Sequence, residues 1–445
     1  MSQRNLVILL AATAISFACY ARGEQNPFAR FAASALATIG QDSLEPVTNR
    51  ELFDAAMNGM VDVLHRHGDP HSQFFDERQT EALLGEIHQH FGGIGVRIHF
   101  LGKPPRLFVI APPDPGTPAA RARIAAGDQI LAIDDRPTNA MTMDDVLVAM
   151  RGPAGRPLRL SIQHPPDDKP RTVELIRENI TVESVLGDRR GDDGRWQFRL
   201  GSDPRIAHLR ITSFGDLSAQ ELAKTLDDLA AAGVEAVALD LRDNSGGTLE
   251  AAVDICGLLL PAGQAIVDTR DRDGAAHARH ITKKPGPYRN LPLAVLVNQN
   301  SASAAEIVAA CLQDHGRAAV VGQRSFGKGT VQQLIPTQAG KSVLKLTWAG
   351  FWRPSGQNIH RKEGAPESDT WGVRPDEGCD VPLSGDEYAE YRHYRNRRDM
   401  SGWVTAIASL MDDEQPAVPA DYVDRQLARA VEHLQTVLNE RADQR

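Results

Sequence analysis

From residue 206 to residue 322 the chain repeats one pattern: a short run of aliphatic and β-branched residues, then a stretch with helical apolar spacing. Ile206–Ile211, Glu235–Leu241, Leu293–Asn298 and Ala319–Gly322 read as strands, most of them too apolar to face water on either side. Between them, Leu217–Ala232 carries Leu222, Leu226 and Leu229 on one face, and Thr248–Leu260 and Ser303–Gln313 continue the alternation. Strands separated by helices pair in parallel and need helical cover, so this order predicts a mixed, mostly parallel αβ core.

The rest of the 445 residues exceeds what one core usually holds, and its texture changes twice. Residues 23–90 are helical in pattern, with Leu52, Ala55, Ala56, Met60, Val61 and Leu64 at helical spacing before the turn Gly68-Asp-Pro-His-Ser72. Residues 91–179 are short strands and turns with one helix, Met143–Met150. The expected organisation is therefore α+β/α/β and multidomain. It comprises a helical region (23–90), a β-rich domain (91–179) inserted before the αβ core (180–385), and a helical extension (386–445) ending in the amphipathic stretch Tyr422–Leu438. At the start, Arg4 precedes an apolar run, Leu6–Ala21, closed by Arg22-Gly-Glu. Residues 1–22 read as an export signal, the alternative being a retained membrane anchor or a lipid attached at Cys19. That places the protein outside the cytoplasm, in the periplasm or on the outer face of the cytoplasmic membrane.

A net charge of −9 argues against a nucleic-acid partner, which needs a basic face. The one basic run, Tyr391–Arg398, reads as the solvated side of a peripheral helix. Cys19, Cys256, Cys311 and Cys379 are widely spaced, so neither a disulfide framework nor a zinc site is expected. No cofactor or metal is expected, and self-association is compatible with the chain.

Three segments carry chemistry. In Asn298–Glu306 a strand meets a helix through Ser301-Ala302-Ser303, where a serine either caps the helix or stands beside its free N–H groups as a nucleophile. Gly322–Gln333 contains Gly322-x4-Gly327-Lys328, most of a phosphate loop. However, Gly329 stands where Mg²⁺ needs a hydroxyl, and Pro336 leaves no room for the following helix. Asp240–Gly247 ends a buried strand in Gly246-Gly247, a pair suited to close backbone approach or to its own turn.

Together the segments resemble the carboxy-terminal-processing, or tail-specific, serine peptidases over roughly residues 50–385. The Asp69-Pro-His-Ser72 turn, Lys345–Gln357 and Gly372–Asp376 belong to the same pattern. The resemblance implies Ser303 as nucleophile, Lys328 as general base 25 residues later, and Gln332 orienting the lysine. The N–H of Ala304 and a glycine N–H from Gly246 or Gly247 would form the oxyanion hole. Asp314 matches an acidic position sometimes counted with the site, but eleven helical residues put it about 16 Å along the axis, which favours a structural role. Residues 91–179 would be a PDZ-like domain, whose loop Gly93, Ile94, Gly95 and Val96 would hold a substrate's terminal carboxylate. Arg177, at its junction with the core, is a candidate relay. The implied activity is endoproteolysis near the C-termini of exported or unfolded polypeptides; the alternative is a silent peptide-binding scaffold. Lys328 would have to be neutral at work. An ordinary lysine is ~3.4 pKa units from that state at neutral pH, so burial beside Phe326, Val331 and Trp348 is expected to supply the shift.

Overall fold

The computed structural model describes residues 26–164, 169–337, 341–400 and 422–444. The export-signal reading of residues 1–22 and the fate of Cys19 fall outside them. Among the described residues no helix is long and apolar enough to cross a membrane. The chain divides into two units, residues 1–80 with 332–347 and residues 81–331 with 348–445.

In the first unit, helix Asn49–Arg66 starts at a capping box in which Thr48 and Glu51 satisfy each other's backbone. Its apolar stripe, Phe53, Met57 and Val61, packs on Phe74 and Leu344. Strand Gln73–Phe75 pairs antiparallel with Val343–Lys345. The turn before it is organised by Asp69, whose carboxylate accepts from the His71 and Ser72 N–H groups and from the Ser72 and Thr347 hydroxyls.

In the second unit, a five-stranded sheet runs in the order Val185–Leu186, Ile206–Ile211, Ala236–Asp240, Leu293–Val297, Ala319–Gly322. All neighbours are parallel except the first pair, as the alternating pattern requires. Helices Ser218–Ala231, Leu249–Leu259 and Ala304–Asp314 share a core with residues of one sheet face, including Leu209, Val237, Leu239 and Val295. Leu427, Val431 and Leu434 of helix Arg425–Asp443 cover the small residues of the other face, Ala236, Ala238 and Ala294. The sheet's C-terminal edge therefore carries the loops 241–248, 298–303 and 323–329. After the last of these comes a strand, Thr330–Thr337, not the helix of a phosphate loop. The β-rich part of this unit is a sheet of Ile98–Leu101, Arg106–Val109, Gln129–Ile133, Pro157–Gln163 and Arg171–Ile176. Leu158, Leu160 and Ile162 alternate inward against Ile130, Ile133 and Val146.

The basic run Tyr391–Arg398 is a solvated face only in part, with Arg392 and Asn396 exposed. Tyr391 and Arg395 on helix Gly385–Asp399 are buried, with the Arg242 guanidinium 4.4 Å from the Tyr391 ring. Arg398 pairs with Asp188. His208, fully buried, stands between Asp188 and Asp240, 3.1 and 3.0 Å away. Burial pushes the Asp188 carboxyl up, but the His208 hydrogen bond and the charges of His208, Arg398 and Arg395 prevail and hold it at about 2, below its ordinary 3.8. A depressed carboxyl stabilises the fold above its unfolded pKa and ceases to do so as pH falls through its folded one. Stability should therefore fall between about pH 4 and pH 2, by roughly 2 kcal/mol for this group. In acid thermal melts Asp188→Asn should be less stable than the parent at pH 7, and its Tm should change less over that interval. An unchanged acid limb would contradict the assignment.

Candidate active site

Ser303 ends the loop after strand Leu293–Val297 and precedes helix Ala304–Asp314 with φ 57° and ψ −116°. An ordinary capping serine sits in the extended region. A serine held at positive φ costs about 1–3 kcal/mol, and such strain collects at functional turns. Ser301, the other candidate, is fully buried; its hydroxyl donates to Leu241 O at 2.7 Å and accepts from Asn298 N at 2.9 Å. It braces the loop, whereas Ser303 remains partly exposed.

The strain is held by Gly246 and Glu306. Gly246 has φ 106°, and a Cβ there would lie 2.7 Å from Ser303 Cβ and 3.1 Å from Ala304 N. Its own N–H donates to Asn244 Oδ1 at 2.8 Å, so of the two glycines offered for an oxyanion hole it is the committed one. Among the described residues the N–H groups of Ala304 and Gly247 have no hydrogen-bond partner. Glu306, fully buried, accepts from Ser303 N (2.8 Å) and Lys328 N (2.8 Å) at Oε2, and from Gly327 N (2.7 Å) and Ser325 Oγ (2.6 Å) at Oε1. One carboxylate oxygen thus holds the Ser303 and Lys328 nitrogens within twice a hydrogen-bond length of each other. Burial pushes this carboxyl up, against the four hydrogen bonds that favour its charged form. The Glu306 bridge was not anticipated from sequence; its only signal was an acid three residues after Ser303, which reads as an ordinary helix start.

Glu306→Gln would turn an NH₂ group toward two donors in either amide orientation. It is expected to cost about 2–3 kcal/mol of stability and to cut kcat about 100-fold through misplacement of the two loops. Denaturant unfolding and steady-state kinetics check both.

The strand–turn–helix at Ser303, the glycine corner packed on it and the Lys328 loop are thus tied together through Glu306. The family model described as peptidase family S41 matches residues 205–378, and a PDZ domain model matches residues 109–164. A carboxy-terminal-processing protease of Bartonella bacilliformis is 33% identical over 360 residues, 80% of this chain and 76% of the relative. The chain belongs to this family of serine-type peptidases. A carboxyl-terminal-processing protease of Picosynechococcus is 33% identical over 339 residues, 75% of this chain and 76% of its own. Among solved structures, the photosystem II D1 C-terminal processing protease is 26% identical, with 78% of this chain and 88% of that one covered at a TM-score of 0.43.

Other expected residues of this peptidase fall in distinct places. Asp314 pairs with Arg353 at 2.6 Å and accepts from Ser355 N at 2.9 Å, at the far end of the Ser303 helix; it anchors a loop. Gln332, in the first unit, donates to Thr347 Oγ1 at 3.3 Å, and Thr347 in turn donates to Asp69. Lys328 is half-buried. Phe326, expected to line its pocket, is 48% exposed instead; the next residue, Gly327, has φ 88° and packs against Arg361 and Trp371. Arg177 is buried, its guanidinium donating to Ala149 O, Met150 O and Pro157 O. The bonds to Ala149 and Met150 cap helix Met143–Met150 and the third reaches strand Pro157–Gln163, so among the described residues the hydrogen bonds of this guanidinium stay within the PDZ-like part.

Asp243 is a second residue that nothing in its local sequence singles out. Its Oδ1 accepts from Asn298, Asn300 and Tyr388 at 3.0, 2.8 and 2.6 Å, tying the Gly246 loop to the Ser303 loop.

Proposed function

We propose that this peptidase cuts polypeptides near their C-termini with Ser303 as nucleophile and neutral Lys328 as general base. The reading is carried by one observation: a strained Ser303 whose backbone shares the Glu306 carboxylate with Lys328. Ser303 Oγ attacks the scissile carbonyl carbon as Lys328 Nζ takes its proton. The developing oxyanion is met by the N–H groups of Ala304 and Gly247, with Gly246 shaping the corner rather than donating. The C–N bond then breaks, Lys328 returns the proton to the leaving amine, and water hydrolyses the acyl-serine by the same route. Gln332 takes the orienting role that the family pattern gives it. The PDZ-like groove takes the substrate's tail at Gly93–Val96, and residues 1–22 direct the chain out of the cytoplasm.

The test is product mapping by mass spectrometry on an unfolded polypeptide with an apolar C-terminus. Cuts near that end, absent with Ser303→Ala, are expected. Cuts spread evenly along the substrate, or equal cutting by Ser303→Ala, would overturn the proposal.

A further inference from the structure

A groove of about 610 Å³ runs along the PDZ-like sheet, walled by Ile94, Val96, Ile98, Leu147 and Met150. Among the described residues the N–H groups of Ile94, Gly95 and Val96 have no hydrogen-bond partner. The groove's lining also includes residues from outside that sheet, Arg190 and Trp196. Arg190 lies on the short strand Arg189–Arg190, which pairs with Trp196–Gln197.

Arg190 is only 6% exposed. Its guanidinium stacks 4.0 Å from the Trp196 ring and donates through Nη1 to Gly194 O at 2.5 Å. Nε is buried without a partner, and no carboxylate among the described residues comes within ion-pair distance. The acids that share the groove are already committed. Asp114 and Glu183 accept from Arg97, Glu183 also from Trp196 Nε1, and Asp399 from Arg210. A buried charge without a counter-charge is costly, and proteins ordinarily pair it. Burial first, then the nearby Arg97 charge, pull this guanidinium down to about 10.

We propose that Arg190 is a second anchor for the substrate's terminal carboxylate, in the groove that Ile94, Gly95 and Val96 also line. The inference rests on the tail-binding reading above and adds to it a residue outside the PDZ-like sheet. A planar guanidinium suits a carboxylate better than a carboxamide, so Arg190 would select free chain ends over internal segments.

The test uses the full chain carrying Ser303→Ala and a fluorescent peptide with an apolar last residue, made as the free acid and as the amide. With Arg190 present, the acid should bind at least about 10-fold more tightly than the amide, a margin within reach of charge-assisted pairing. Arg190→Gln should shrink that ratio to about 3-fold or less while leaving amide binding nearly unchanged. A ratio unaltered by Arg190→Gln overturns the Arg190 anchor alone. Failure of the Arg190 chain itself to distinguish acid from amide overturns the tail-binding reading and the anchor with it. Should Arg190→Gln not fold, hydrogen exchange in the Arg190 chain decides. Residues 189–197 should be protected by the acid peptide and not by the amide, and equal protection overturns the anchor.

Discussion

Lys328→Ala is expected to reduce kcat about 10,000-fold or more, close to the loss from Ser303→Ala, while both variants fold. Residues that act as one unit fail together, so removing either should cost nearly as much as removing both. Lys328→Arg should not rescue, because a guanidinium stays protonated at any working pH. In the parent enzyme kcat/KM should rise with pH through a single ionisation belonging to the Lys328 amine. The geometry limits what else could serve as base. The carboxylate nearest the two loop backbones, Glu306, is fully buried and occupied by four donors. A Lys328→Ala variant with more than a tenth of parental kcat would contradict this role.

Gly246→Ala is the second large effect. The added Cβ would stand 2.7 Å from Ser303 Cβ and 2.9 Å from Ala302 O, closer than carbon and backbone oxygen allow. Alanine also resists φ 106°, adding about 1 kcal/mol to an overpacking cost of about 1–3 kcal/mol. Relief requires Ser303 and Ala304 to move by several tenths of an ångström, which displaces both the attacking oxygen and one oxyanion donor. Loss of one such donor costs about 100- to 1,000-fold in kcat, and that loss is expected here with KM little changed. Activity measurements alongside thermal unfolding separate the two costs. Retention of kcat with only a lowered Tm would show that the corner is structural.

Much of the fold was legible because the sheet is buried on both faces: strands such as Ala236–Asp240 and Leu293–Val297 have no exposed residue to blur their pattern. The alternation of Leu158, Leu160 and Ile162 marked the PDZ-like sheet in the same way. Ser303 and Lys328 stand out as candidates only as a pair, since each segment alone suits a helix cap or a phosphate loop. What stayed hidden depends on partners distant in sequence. Glu306 reads as a first-turn acid until the loop 19–22 residues later closes on it. The run Tyr391–Arg398 has the composition of a solvated face, and only the fold brings Asp188 and Arg242 beneath it. The proposed preference for Gly247 over Gly246 likewise rests on one hydrogen bond, from Gly246 to Asn244.

The central claim is that Ser303 is activated by Lys328, and covalent labelling tests it most directly. Treatment with a fluorophosphonate, followed by intact-mass and peptide mapping, should give one adduct on Ser303. Its rate of formation should rise with pH in the parent and fall at least about 100-fold in Lys328→Ala. An adduct on another residue, or a Ser303 labelling rate unchanged by Lys328→Ala, would contradict the account.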